Sequence, residues 1–403
     1  MALDPLKVTQ NIRESYVRYL TSTFRLRDAT LRKLFQKEAE EFWFTNGPIL
    51  EATPPFQKGC YLKDLIEEGL LTKNFESFIY EILPYLRNSP LYLHQEKALK
   101  KILNGRNVVI ASGTASGKTE CFLIPIYNYL LREYKEGKLT PGVRALLLYP
   151  MNALANDQLK RLRDIAKVME EKMPDANITF GRYVGDTPET KKQGEEQFRL
   201  RNPGKEPVKS ELLSREEMRE NPPHILITNY AMLEYLLLRP KDSPLFDGEY
   251  AKNWRFLVLD EAHIYSGAAG IEMAMLIRRL KDRICENMEG ELQCIATSAT
   301  LVKEEKEEED FGKVAEFATK LFGEKFEFEK HNPDRQDIIK GERIKTQIEE
   351  PTINCPFQLY TELNRIITEV ADDSLLEQCY KLFKKFNIPE NILKESKERC
   401  AGN

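Results

Sequence analysis

A chain of 403 residues, 41% hydrophobic and 31% charged, holds ample apolar material for a buried core and length for two or three domains. A formal charge of −4 excludes bulk attraction to nucleic acid while leaving room for a local basic groove. Seven scattered cysteines without a C-x-x-C pair argue against a disulfide framework or zinc site, and no apolar run reaches the ~20 residues of a membrane span, so a cytoplasmic protein without a membrane partner is expected.

Residues 1–90 lack strand alternation and read as a helical accessory domain: Arg13–Leu34 and Leu62–Leu71 carry apolar residues at helical spacing, with irregular chain from Gly47 to Phe56 between them. From residue 91 to 302 the pattern changes to short apolar runs alternating with helices. The strand candidates are Val108–Ala111, Val143–Tyr149, Ile178–Tyr183, Ile225–Thr228, Phe256–Leu259 and Gln293–Thr297. Helical stretches at Gly117–Tyr134, Asn152–Met169 and Gly270–Asn287 separate them. Near-continuous hydrophobic strands divided by helices imply an α/β fold, a parallel sheet covered on both faces with ligands at the carboxyl ends of its strands. A charged insertion, 186–222, interrupts the alternation and reads as a solvated loop with helical pieces. Residues 303–403 begin with the acidic run KEEKEEED and continue as a linker and helical segment, with an amphipathic helix at Phe311–Phe322 and two or three more over 357–400.

Two motifs carry chemistry. Residues 112–120 read SGTASGKTE, between the strand Val108–Ala111 and a helix, which is the setting of a phosphate-binding loop. Backbone N–H groups of Thr114, Ala115, Ser116 and Gly117 would wrap phosphates, Lys118 would reach the terminal ones, and Thr119 would offer its hydroxyl to Mg²⁺. Ser112 stands where the usual pattern has its first glycine, which weakens the match. The second motif is Phe256–Leu259 running into Asp260-Glu261-Ala262-His263. A buried strand ending in two carboxylates delivers both to the sheet edge. There Asp260 would hold Mg²⁺ and Glu261 would orient or deprotonate an attacking water. Together they point to ATP and Mg²⁺ as cofactors.

At this point the chain resembles superfamily 2 helicases of the DEAD/DEAH-box type over residues 90–300, with motifs in the family's order. The resemblance implies a RecA-like P-loop NTPase domain, ATP hydrolysis, and movement along nucleic acid, DNA more than RNA. It implies base reading by Gln95 beside Tyr92, and catalytic roles for Lys118, Asp260, Glu261 and His263. Coupling would pass through Ser298 and Thr300 of Ser298-Ala299-Thr300. Strand contacts would come from Pro150, Met151, Asn152 and Gln158 in the Tyr149–Gln158 motif, from Arg182 at a strand end, and from Thr228 and Asn229. Gly113–Thr119, Tyr149–Gln158, and Asp260–His263 followed by Tyr265-x-Gly267-x-x-Gly270 are similar to the YprA/MrfA-type repair helicases and to large phage-defence helicases of the DISARM kind. Other subunits of such a complex are then possible partners.

A second RecA-like domain would supply an arginine motif of the Q-x-x-G-R-x-x-R type. None follows residue 300, and Gly341-Glu342-Arg343 lies in another context. The expectation is an N-terminal fragment with the first RecA-like domain only, weak or inactive as an ATP hydrolase by itself. The competing class is an ATP-gated nucleic-acid recognition or scaffold subunit without processive unwinding. A P-loop kinase fits less well, because it leaves Tyr149–Gln158 and Ser298–Thr300 unexplained.

Overall fold

The computed structural model describes residues 5–24, 26–40, 54–113, 116–285, 290–299, 307–344, 357–369 and 375–386. Helices come first: α1 (Pro5–Thr23), α2 (Ala29–Glu40), α3 (Leu62–Glu67), α4 (Lys73–Ile82) and α5 (Leu93–Leu103). Strand and helix then alternate through β1 (Val108–Ala111), α6 (Lys118–Lys135), β2 (Ala145–Tyr149), α7 (Asn152–Lys172) and β3 (Phe180–Arg182). The inserted segment forms α8 (Lys191–Arg201), β4 (Glu211–Leu212) and α9 (Arg215–Glu220), followed by β5 (Ile225–Asn229) and α10 (Tyr230–Leu238). The sheet is completed by β6 (Phe256–Leu259), α11 (Gly267–Cys285), β7 (Gln293–Ser298), α12 (Glu307–Phe322) and β8 (Ile338–Lys340). Two further helices are α13 (Phe357–Glu369) and α14 (Leu375–Lys385).

All named strand pairs are parallel, in the order β4-β3-β5-β2-β6-β7-β1-β8. Side chains alternate across the sheet. Val108, Ile110 and Leu147 join one core with Leu99, Phe122 and Leu162 of α5, α6 and α7. Val109, Leu146 and Leu148 join the other with Leu233, Ile277 and Phe322 of α10, α11 and α12. Both faces are therefore dry, which is why these strands read as unbroken apolar runs.

Two elements differ from the sequence reading. The insertion has the expected helical pieces, α8 and α9, but is tied into the sheet rather than left as a solvated loop. It places β4 beside β3 with Phe180 opposite Glu211, and Arg163 of α7 binds Glu211 through two hydrogen bonds of 2.7 Å, so the charges serve as internal ties. The sheet also continues past residue 302, because β8 pairs with β1 through Val109 opposite Ile338. One compact unit accordingly spans Pro55–Ile344, wider at both ends than 91–302, with α3, α4, α12 and β8 packed into it. Helices α1, α2, α13 and α14 belong to a second unit, in which α1 packs on α2, and α13 on α14 with Lys385 bound to Glu362.

Candidate nucleotide site

Register brings the chemistry together. Ala111 of β1 lies opposite Ser298 of β7, and Leu259 of β6 opposite Ala296, so the loop after β1 and the acidic turn after β6 emerge at one sheet edge, on either side of β7. Lys118, the first residue of α6, donates to the Ser112 carbonyl at 3.1 Å and lies 3.7 Å from Glu261 Oε1. Gly117 has φ +76°, and a Cβ there would stand 2.2 Å from Gln95 Nε2, so both conformation and space demand glycine. Ser112 fits without glycine's help because its hydroxyl pairs with Ser116 Oγ at 2.6 Å and its Cβ faces a glycine across the turn. That glycine is Gly341, where an added Cβ would meet Ser112 Cβ at 2.8 Å. Thr114 and Ala115 lie outside the described residues.

The acidic turn is strained: Glu261 has φ +52°, the single non-glycine residue in the left-handed region among those described. Thr297 holds it. Its hydroxyl donates to Asp260 Oδ1 and accepts from the Glu261 backbone N–H at 3.3 Å. Burial raises the Asp260 pKa above the ordinary carboxylate value; the Thr297 hydrogen bond opposes this, and the neighbouring Glu261 charge adds to it. Ser298 Oγ lies 3.3 Å from His263 Nδ1, which is also 3.3 Å from Glu261 Oε2. Thr300 lies outside the described residues, and Thr297, not singled out from sequence, carries the link to Asp260. Register gives the signal for it, since the position after Ala296 opposes the position after Leu259.

Donors suited to a magnesium ion gather here. Thr119 Oγ1 receives Gln158 Nε2 at 3.4 Å. Gln158 Oε1 and Tyr149 OH are buried oxygens without hydrogen-bond partners, and Glu261 Oε2 has only the His263 ring nearby. Oxygen donors of this kind suit a hydrated hard cation, so the residues fit Mg²⁺, which Thr119 and Asp260 would hold. Bound there, the ion would neutralise phosphate charge.

At the base end of the loop, His94 Nε2 meets the Ser116 carbonyl at 2.8 Å. Burial lowers the His94 pKa, so the neutral ring donates this bond and braces the loop. Gln95 accepts from Tyr92 N at 2.9 Å and donates to the Gly117 carbonyl at 3.2 Å. Its oxygen is thus committed to the first turn of α5 and one N–H to the loop, and the side chain is buried. Sequence reasoning missed Phe56 and Arg343. Residues 55–57 and 342–344 run side by side, the Arg343 guanidinium lies 4.3 Å over the Phe56 ring, and that ring packs on Tyr92 and His94.

Residues 92–308, more than half of the chain, match the DEAD/DEAH box helicase family. The chain belongs to that family. A DEAD/DEAH box helicase domain is an ATP-binding domain. It is 33% identical over 381 residues to the Druantia protein DruE of Escherichia coli (strain UMEA 4076-1), covering 72% of this chain and 20% of that protein. To the uncharacterized ATP-dependent helicase YprA of Bacillus subtilis (strain 168) it is 32% identical over 213 residues, 52% of this chain and 23% of that protein. The solved structure of the DUF1998 helicase MrfA bound to DNA aligns with a TM-score of 0.46 at 25% identity, covering 72% of this chain and 29% of that one. The chain thus spans less than a quarter of the length of DruE and of YprA.

In this DEAD/DEAH box domain the expected strand contacts divide. Met151, 59% exposed, and Asn152 stand at the carboxyl edge, where Asn229 donates to Asn152 Oδ1 at 2.7 Å and caps α10 through Met232 N. Pro150 is half-buried beside them. No side chain caps α7, so its first N–H groups face this edge without a side-chain acceptor. Thr228 sits inside instead, fully buried, its hydroxyl donating to the Tyr183 carbonyl at 2.6 Å, because β5 packs tightly beside β3. Gln158 turns toward Thr119 rather than the edge. Arg182 binds Asn156 at 2.8 Å and Asp186 at 3.2 Å, at the wall of a separate cavity. Among the described residues no helix is long and apolar enough to cross a membrane.

Proposed function

We propose that this chain is the ATP-binding lobe of a DNA helicase or translocase that works in DNA repair or anti-phage defence, alone or with other subunits. The observation that carries the reading is the convergence of Lys118 with Glu261, and of Asp260 with Thr297, at the same sheet edge that exposes Met151, Asn152 and Asn229. Lys118 binds the terminal phosphates, Thr119 and Asp260 hold Mg²⁺, and Glu261 activates water. Tyr92 and Gln95 meet the base, with Ser116 and Gly117 on the phosphates. The N-terminal turn of α7 takes a backbone phosphate of the strand. His263 and Ser298 pass the state of the phosphate site to the rest of the motor.

The test pairs nucleotide binding with strand displacement. The wild-type chain should bind an ATP analogue more tightly with single-stranded DNA present, and Lys118→Ala should lose that binding. In the protein of which it forms part, displacement should vanish with Glu261→Gln. Nucleotide-dependent DNA binding without displacement would support a recognition subunit in its place.

A further inference from the structure

Among the described strands, β8 is the last of the sheet and pairs with β1 on one side. Val109 N donates to the Asp337 carbonyl at 2.9 Å and Gly341 N to the Ala111 carbonyl at 3.0 Å, so the odd-numbered residues of this tract turn their backbone groups toward β1. The N–H and C=O of Ile338, one residue out of step, point to the other side. A cavity of about 330 Å³ lies there, lined by Ile338, Ile339 and Lys340. Helices cover both faces of the sheet at this edge. Ile339 shares a core with Leu99 and Ile102 of α5, whereas Ile338 belongs to the other core, against which Phe311 of α12 and Phe328 pack. From α5 the cavity receives Lys97 and Lys101, one helical turn apart. From the opposite layer it receives Phe311 and Phe328, their rings 4.8 Å apart. The space thus continues the sheet between the same two layers.

Charge decides what suits it. Among the described residues of the lining, Lys97, Lys101, Lys330 and Lys340 stand with one carboxylate, Glu342, which Lys97 binds at 2.8 Å. Lys101 instead donates to the carbonyls of Pro333 at 2.9 Å and Asp334 at 3.2 Å, so its hydrogen bonds go to backbone dipoles. Burial lowers the Lys101 pKa, and an entering carboxylate would raise it. A second copy of β8 would bring its own Lys340 against this lining, like charge against like. A nucleic-acid strand would meet the lysines but offers no peptide N–H and C=O to Ile338. We propose that the outer edge of β8 docks an extended segment of a partner protein in which carboxylates alternate with apolar residues, added as a further strand of the sheet. Side chains of such a strand point to alternate faces, its carboxylates toward Lys97 and Lys101 and its apolar groups toward Phe311 and Phe328, while its backbone pairs with Ile338.

Fluorescence anisotropy of a synthetic peptide alternating glutamate with valine tests this on the whole chain, and affinity for an ATP analogue reports that the fold is intact. Wild type should bind this peptide in preference to an isomer with its glutamates and valines in separate blocks. Of two further copies, N-methylated at the glutamates or at the valines, only one should lose binding, because only one set of N–H groups faces β8. Lys101→Gln should weaken binding by about 2–5-fold, the share of one partly exposed ion pair, and Lys101→Arg should retain it. Absence of binding, equal binding of both isomers, or equal behaviour of the two N-methylated copies overturns the proposal. So does a single-stranded oligonucleotide that displaces the peptide with the same dependence on Lys101, which would assign the edge to nucleic acid.

Discussion

Lys118 Nζ stands 3.7 Å from Glu261 Oε1 and spends its hydrogen bond on the Ser112 carbonyl at 3.1 Å. The lysine therefore bridges the loop and the acidic turn before any phosphate enters, and an incoming triphosphate exchanges one set of oxygens for another. Lys118→Ala should abolish measurable ATP-analogue binding in calorimetry. Glu261→Gln should keep binding and lower turnover by about 10²–10⁴-fold, the usual range for losing a general base.

Thr297 predicts a separable effect. Thr297→Val keeps the shape but leaves the buried Asp260 oxygen and the Glu261 N–H unmatched. Stability should fall by about 1–3 kcal/mol in urea titration. Turnover should fall more than for Thr297→Ser, which keeps the hydroxyl.

The pairing of Ser112 with Gly341 predicts compensation. Gly341→Ala would drive a Cβ to 2.8 Å from Ser112 Cβ and 2.9 Å from Phe56 Cε1. ATP-analogue affinity should drop, and the double variant Ser112→Gly/Gly341→Ala should recover part of it, Phe56 accounting for the remainder. Equal loss in the single and double variants would refute the pairing.

His224 sets a pH dependence. It is buried, its Nδ1 accepts from Thr179 N at 2.8 Å, and its Nε2 then donates to the Thr140 carbonyl at 3.1 Å, which fixes the neutral ring. Burial, aided by the Arg144 charge, lowers its pKa to about 4 from the ordinary 6.5. Between these values the unfolded chain takes up a proton that the folded chain refuses. Stability from this group is thus complete above about pH 6.5 and is lost as pH falls toward 4, by up to about 3 kcal/mol. Urea midpoints from pH 7 to 4 should fall less steeply in His224→Asn, whose amide oxygen can still accept from Thr179.

The buried strands were legible because two dry faces force unbroken runs such as Val108–Ala111 and Ala145–Tyr149. Strands β4 and β8 were not. Glu211-Leu212 and Ile338-Ile339-Lys340 are too short and too mixed to show a period, and only their neighbours β3 and β1 make them strands. In the site, Lys118, Asp260 and Glu261 stood in motifs that could be read directly from the sequence. Thr297, Phe56 and Arg343 did not, because their partners lie far away in sequence. Thr228 and Gln158 show the reverse limit: a polar residue at a strand end or in the first turns of a helix can face inward, and only packing decides.

Because β8 lies along β1, the strand that launches the phosphate-binding loop is an interior one. A shortened chain ending near residue 302, where the recognisable motifs stop, would strip that cover and turn β1 into a bare border. Unmet N–H and C=O groups there would recruit another copy of the chain. Anyone trimming this protein for solution work should keep the tract through Ile344, since clumping of a shorter version would report a missing neighbour rather than a faulty motor.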